Sequence, residues 1–166
     1  ILEAMASTPR EDFVPEALRS AAYIDRALPL GNGEVLASPL VHGRMLSEAL
    51  PGKNDKVLLV GNANGYLAAL LRRLVGSIDT ITPTKALEQA SGDYSLIMVD
   101  GAAEVFPDAL AGRLSDNGRV VTGQVLRGIS RLATGRKVGD HIELLPLIEL
   151  GVPVLAEFAA PKRWSF

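Results

Sequence analysis

A chain of 166 residues, 48% of them hydrophobic, is long enough to bury one sizeable core and short for two. Its net charge of -2 and pI near 5.7 give no electrostatic reason to expect nucleic acid or an acidic membrane as partner. With no cysteine, disulfides, thiolate chemistry and cysteine-based metal sites are excluded, and with His42 and His141 in unrelated segments no metal is expected.

Ile1 to Ala6 reads as the end of a helix closed by Ser7-Thr8-Pro9, and since residue 1 is Ile and not Met, the native amino terminus is expected to lie upstream. Phe13 and Val14, between charges and Pro15, form a segment suited to pinning a cap onto a core. Glu16 to Ala22 is helical in composition. Tyr23 to Gly33 reads as loop, with Pro29, Gly31 and Gly33 as breakers. Val35 to Pro39 leads into a helix over Val41 to Leu50, which Pro51-Gly52 stops. Ser38 fits its N-cap, and His42 just inside it reads as a surface residue.

The stretch Lys56 to Leu74 is the organising one. An apolar run, Val57 to Val60, breaks at Gly61, and Leu67, Leu70, Leu71 and Leu74 then follow helical spacing. A buried strand, a glycine-bounded turn and an amphipathic helix build a cofactor site in open α/β folds, because unpaired backbone N–H groups gather there. Gly61 is expected to leave the strand at positive φ, with Asn62 and Asn64 as the non-glycine residues that best tolerate such geometry.

Ser77 to Thr82 alternates and is β-branched, a second strand, followed by about two helical turns over Thr84 to Ala90. Tyr94 to Asp100 reads as a central parallel strand and Arg119 to Thr122 as a further one, with a helix beginning near Pro107 between them. Ser130 to Thr134 and Ile142 to Leu150 are hairpin-like strands before the Gly151 and Pro153 break. Arg72-Arg73, Arg136-Lys137 and Lys162-Arg163 read as solvated surface, and Trp164, Phe158 and Phe166 as terminal packing. The pattern is a doubly wound α/β sheet with an antiparallel end. It is organised as one domain over 1–166: a helical cap and loop over 1–50, a Rossmann-like core over 51–125 and antiparallel strands over 126–166. No run approaches the ~18 residues of a membrane span and no signal-peptide pattern opens the chain, so a cytoplasmic protein is expected.

Several motifs, in order, resemble the bacterial protein-L-isoaspartate O-methyltransferases. Arg10-x-x-Phe13-Val14-Pro15 is similar to that family's R-x-x-F-V-P, and Ala22-Tyr23-x-Asp25-x-x-Leu28-Pro29-Leu30-Gly31-x-Gly33 to its A-Y-x-D-x-x-L-P-I-G-x-G. Gly65-Tyr66-x-Ala68-Ala69-x-Leu71 resembles the G-Y-x-A-A-x-L after the cofactor turn. Gly101-Ala102-Ala103 with Pro107-x-x-Leu110, and Leu114-x-x-x-Gly118-x-Val120-Val121, resemble the segments beyond it. The resemblance implies the Rossmann-like fold of S-adenosylmethionine-dependent methyltransferases. It implies methyl transfer from S-adenosylmethionine to an isoaspartyl carboxylate of a damaged protein or peptide. The cofactor would lie on Gly61, Asn62, Ala63, Asn64 and Gly65, on Thr82, and on Asp100 and Gly101.

The sequence departs from the family's pattern at its working positions. Leu59 stands where the family has an acid, and Ala63 where its turn has the middle glycine. Thr82 replaces the acid that holds both ribose hydroxyls. A carboxylate makes charge-assisted bonds worth roughly 1.5 to 3 kcal/mol each, so a lone hydroxyl should weaken binding by about one to two powers of ten. Asp100 is the nearest acid placed to substitute, since Asp79 points from mid-strand. Ser91-Gly92-Asp93 stands for a helix, a strand and a loop of the family: either the sheet is shortened by about one βα unit or residues are missing from this stretch. Ala37 occupies the position of the family's catalytic serine; Ser38, one residue along and so on the opposite side of an extended segment, is the catalytic candidate and could serve only with the local backbone rotated. Two readings stay open: methyl transfer that is weak or lost, and a catalytically inactive member acting as a binding or assembly module. A nicotinamide-dependent oxidoreductase is disfavoured, because G-x-G-x-x-G is absent and no acid ends the second strand.

Overall fold

A computed structural model describes residues 1–163; Trp164 and Phe166, read above as terminal packing, lie outside them. Eight strands and four α-helices follow in chain order: α1 (Leu2–Ala6), β1 (Leu28–Gly31), β2 (Glu34–Leu36), α2 (Pro39–Ala49), β3 (Lys56–Val60), α3 (Tyr66–Leu74), β4 (Ser77–Ile81), α4 (Pro83–Ala86), β5 (Tyr94–Ala103), β6 (Leu114–Leu126), β7 (Ile129–Val138) and β8 (His141–Glu149). Six strands form one sheet in the order β4-β3-β5-β6-β7-β8. The first four run parallel, and β7 and β8 extend it antiparallel.

Strand alternation divides the core in two. Val57, Leu59, Leu96 and Met98 face a cluster with α1, α2 and α3. Leu58, Val60, Ile97 and Val99 face one with α4 and the 3₁₀ turn Asp108–Arg113. Leu67, Leu70 and Leu71 of α3 are fully buried, each contributing on the order of 1.5 to 3 kcal/mol over exposure.

The sheet matches the expected Rossmann-like class, and four local readings need correcting. Tyr23–Gly33, read as loop, includes the first strand of a two-stranded hairpin, because Asn32 and Gly33 take φ 53° and 78° and form its turn. The Glu16–Ala21 segment is 3₁₀, not α. Thr84–Ala90 yields only the single turn of α4; the carbonyls of Lys85 within it and Glu88 beyond it accept from Arg113 Nη2 at 3.2 and 3.1 Å. The segment after Pro107 is a 3₁₀ turn as well. The Ser91–Asp93 link runs straight into β5, pressed so close to Arg113 that a Cβ on Gly92 would lie 2.8 Å from its carbonyl oxygen. Among the described residues, β4 forms the sheet's edge. Among the described residues no helix is long and apolar enough to cross a membrane.

The amino ends of the strands are locked by one ion pair. Asp55 accepts from Arg119 Nη1 and Nη2 at 3.0 and 2.9 Å, from Ser95 Oγ at 2.7 Å and from Gly52 N at 2.9 Å. Arg119 Nε also donates to Ala49 O at 2.9 Å, closing the end of α2. Hydrogen bonds from Arg119, the largest influence, hold the Asp55 carboxyl down at about 2.

Candidate functional site

The sheet's connections reverse between β3 and β5: α3 carries the chain from β3 outward to β4, while β5 leads the other way to β6. Ligands of open α/β sheets bind in the crevice outside the carboxyl ends at such a switch point. Gly61–Gly65 and Asp100 stand at this crevice.

Gly61 closes the crevice by proximity, not by backbone strain. It is absent from the positive-φ residues, against the sequence expectation, and a Cβ there would meet Asp100 Cβ at 3.1 Å. The turn satisfies itself: Asn64 N donates to Asn62 Oδ1 at 2.8 Å, Gly65 N to Asn62 O at 3.0 Å, and Asn62 Nδ2 to Glu34 at 3.3 Å. Ala63 lies on the exposed crest, its carbonyl accepting from Arg72. At Gly65 a Cβ would come within 3.1 Å of Asn62 O, a tight approach that glycine avoids where α3 begins, and no side chain caps that helix.

Asp100 Oδ1 accepts from His42 Nε2 at 2.8 Å, and the two side chains are 22% and 0% exposed respectively. His42 is therefore not the surface residue its helix position suggests. Val41 and Met45 beside it are buried too, so α2 turns this face inward. Its ring lies 5.7 Å from that of Tyr66, over which the Arg10 guanidinium sits at 5.2 Å. Arg10 is buried; its Nε donates to Ala22 O at 2.6 Å and its Nη2 to Ala37 O. Burial pushes its pKa down, against the pull of Tyr66 and Asp100. His42 Nδ1 and Arg10 Nη1 are buried without a partner. Of the residues around Asp100 the sequence flagged Arg10, through the R-x-x-F-V-P resemblance; nothing in the spacing joins His42 to Asp100.

The remaining expected site residues divide. Ser38 Oγ accepts from Val41 N at 3.4 Å, the N-cap role, and Ser38 and Ala37 are both buried. Thr82 ends β4, exposed, its Oγ1 accepting from Lys85 N at 3.2 Å to cap α4. Leu155 fills the space beside Gly101: a Cβ there would lie 2.4 Å from Leu155 Cγ. Asp79 accepts from Tyr94 Oη at 2.6 Å and takes no part. Two open concavities, of about 530 Å³ at Pro9, Glu11, Asp12, Arg19, Ser20 and Tyr23 and about 560 Å³ at Leu126, Arg127, Ile129, Arg131 and Pro146, lie away from the crevice. The strand ends are the better candidate, because the topology and the unpartnered polar atoms coincide there. Among the described residues no group of three or more His, Cys, Asp or Glu is placed to hold a metal.

The family model described as Protein-L-isoaspartate(D-aspartate) O-methyltransferase (PCMT) matches residues 1–90. A protein-L-isoaspartate O-methyltransferase of Shewanella halifaxensis (strain HAW-EB4) is 32% identical, over 89% of this chain and 86% of its own length. One from Roseiflexus sp. (strain RS-1) is 31% identical, over 96% and 85%. Among solved structures, a protein-L-isoaspartate O-methyltransferase superposes with a TM-score of 0.77 at 17% identity, covering 95% of this chain, which spans 61% of that protein's length. A putative one from Plasmodium falciparum, in complex with S-adenosyl-L-homocysteine, gives 0.70 at 17% identity, over 93% of this chain and 89% of its own.

Proposed function

The chain belongs to the protein-L-isoaspartate O-methyltransferase family, and from that premise we propose that it is a member whose methyl transfer is weak or lost, with the fold serving as a binding or assembly module. The inherited reaction moves a methyl group from S-adenosylmethionine to an isoaspartyl carboxylate, and such chemistry is chiefly a matter of alignment. What decides activity is thus whether the site still holds both partners.

The residues present do not fit S-adenosylmethionine. The observation that carries this is Thr82: the position that should supply a carboxylate to the ribose offers one hydroxyl, whose oxygen is engaged in capping α4. Asp100, the nearest substitute, stands on β5, with β3 between that strand and β4, and its Oδ1 accepts from His42. Leu59 is fully buried in the core, leaving no acid there for the methionine ammonium. The uncapped start of α3 is the one feature that suits the group. No methyl-transfer step is therefore derived for this chain.

A methylation assay on an isoaspartyl peptide, with an active family member alongside, tests the reading. Turnover below the active member's by about one to two powers of ten at least is expected, the factor that the loss of the ribose acid alone supplies. Comparable turnover would overturn it.

A further inference from the structure

One segment joins the two cores through the plane of the sheet. Val152 belongs to the cluster on the α1–α3 face and Phe158 to that on the opposite face. The chain between them crosses at the carboxyl ends of the strands, where Ala102 N donates to Pro153 O at 2.8 Å and Leu155 N to Ala102 O at 2.9 Å. Ala102 is bridged in parallel to Val154 while its other neighbour is Gly123 of β6. A residue's N–H and C=O in an extended strand point to one side, so the segment lies on the side of β5 away from β6, the side of β3. Beyond the pair Val60 and Val99, β3 has turned off into Gly61–Gly65 and the segment takes its place. That is the switch-point crevice.

The contacts there are of the strand-addition kind, with backbone bonds giving hold and alternate side chains filling space. Leu155 covers Gly101, and Glu104 N and Val105 N donate to Phe158 O at 3.1 and 3.0 Å. Ala160 N donates to Glu104 at 3.0 Å. Anchoring is light between the two buried ends: Val154 is 48% exposed, and of the residues from Pro153 to Glu157 none is fully buried.

We propose that Gly151–Ala160 is a strap that the chain docks into its own ligand crevice, with Leu155 in the volume beside Gly101 where a nucleoside would lie. The inference rests on the reading of this crevice as the inherited cofactor site, and it names what closes it. Lightly anchored segments open on their own, ahead of the global transition, and a ligand that needs the open form binds more weakly by the fraction of time it is open.

Two measurements decide it. In amide hydrogen exchange on the full chain, Ala102, Leu155 and Phe158 should exchange well ahead of Met98 and Val99; equal protection would make the segment a fixed part of the core and overturn the proposal. In titration calorimetry with S-adenosylhomocysteine, Leu155→Ala should bind at least about tenfold more tightly than the wild type, and the volume-conserving Leu155→Met should not. An unchanged affinity in Leu155→Ala overturns the strap even where the loss of methyl transfer stands. Micromolar binding by the wild type would instead overturn that loss and leave the strap to be judged on the difference between variants.

Discussion

The two ends of the parallel strands each carry a carboxylate with an ionisable partner, and they treat it oppositely. At the amino ends, Asp55 takes four hydrogen bonds and Arg119 also donates to the carbonyls of Ala49, Leu50 and Ser95. At the carboxyl ends, Asp100 accepts from His42 alone, and His42 Nδ1 and Arg10 Nη1 are left over. A saturated network rigidifies, while a partly satisfied one gives up stability. The amino end is thus where this fold is held together, and the carboxyl end is where it keeps polar groups beyond what structure needs.

That contrast can be broken in order of size. Arg119→Ala should cost about 3 to 5 kcal/mol in denaturant unfolding, because it strands a mostly buried carboxylate. His42→Ala should cost about 2 to 3 kcal/mol, for a cavity and one lost bond at a carboxylate that still reaches water. An equal or larger loss at His42 would reverse the assignment of the two ends.

Acid sharpens the same comparison. The folded Asp55 carboxyl sits at about 2, below the unfolded value near 3.9, so its contribution is complete above pH ~4 and is lost as pH falls through 2. Stability should drop by roughly 2 to 3 kcal/mol across that window. Asp55→Asn should remove this slope, and a slope unchanged in that variant would mean another carboxylate carries it.

The smallest expected effect on stability is also the most informative about function. Thr82→Asp keeps a good N-cap, so unfolding should move by no more than a few tenths of a kcal/mol. It restores an acid at the end of β4 and should tighten S-adenosylhomocysteine binding by ten- to a hundredfold, read by calorimetry. A variant that binds no better would show that the ribose acid is not what the site lacks.

The sequence made the strands and the cofactor-type turn legible because β3 and β5 are apolar on both faces and α3 has clean helical spacing. Asn32-Gly33 carried the hairpin signal too, but two strands of only four and three residues have too little alternation to be read. Ser38 before the α2 helix and Asp100 at the end of an apolar run could be placed from local pattern alone, as cap and strand end. What could not be read was tertiary. His42 is paired with a residue 58 positions away, and Gly61 is favoured by a close approach to Asp100 of β5, not by its own φ. The strap over Gly101 comes from the far end of the chain, and nothing in Val152–Phe158 by itself says which strand it joins.

The central claim is that the crevice no longer takes the family's cofactor. Titration calorimetry of S-adenosylmethionine and S-adenosylhomocysteine into the wild-type protein tests it most directly. No heat of binding at millimolar ligand is the expected result, and it would direct the search to protein partners. Micromolar binding would contradict the claim and return Asp100 and the Asn62–Asn64 turn to the role of cofactor ligands.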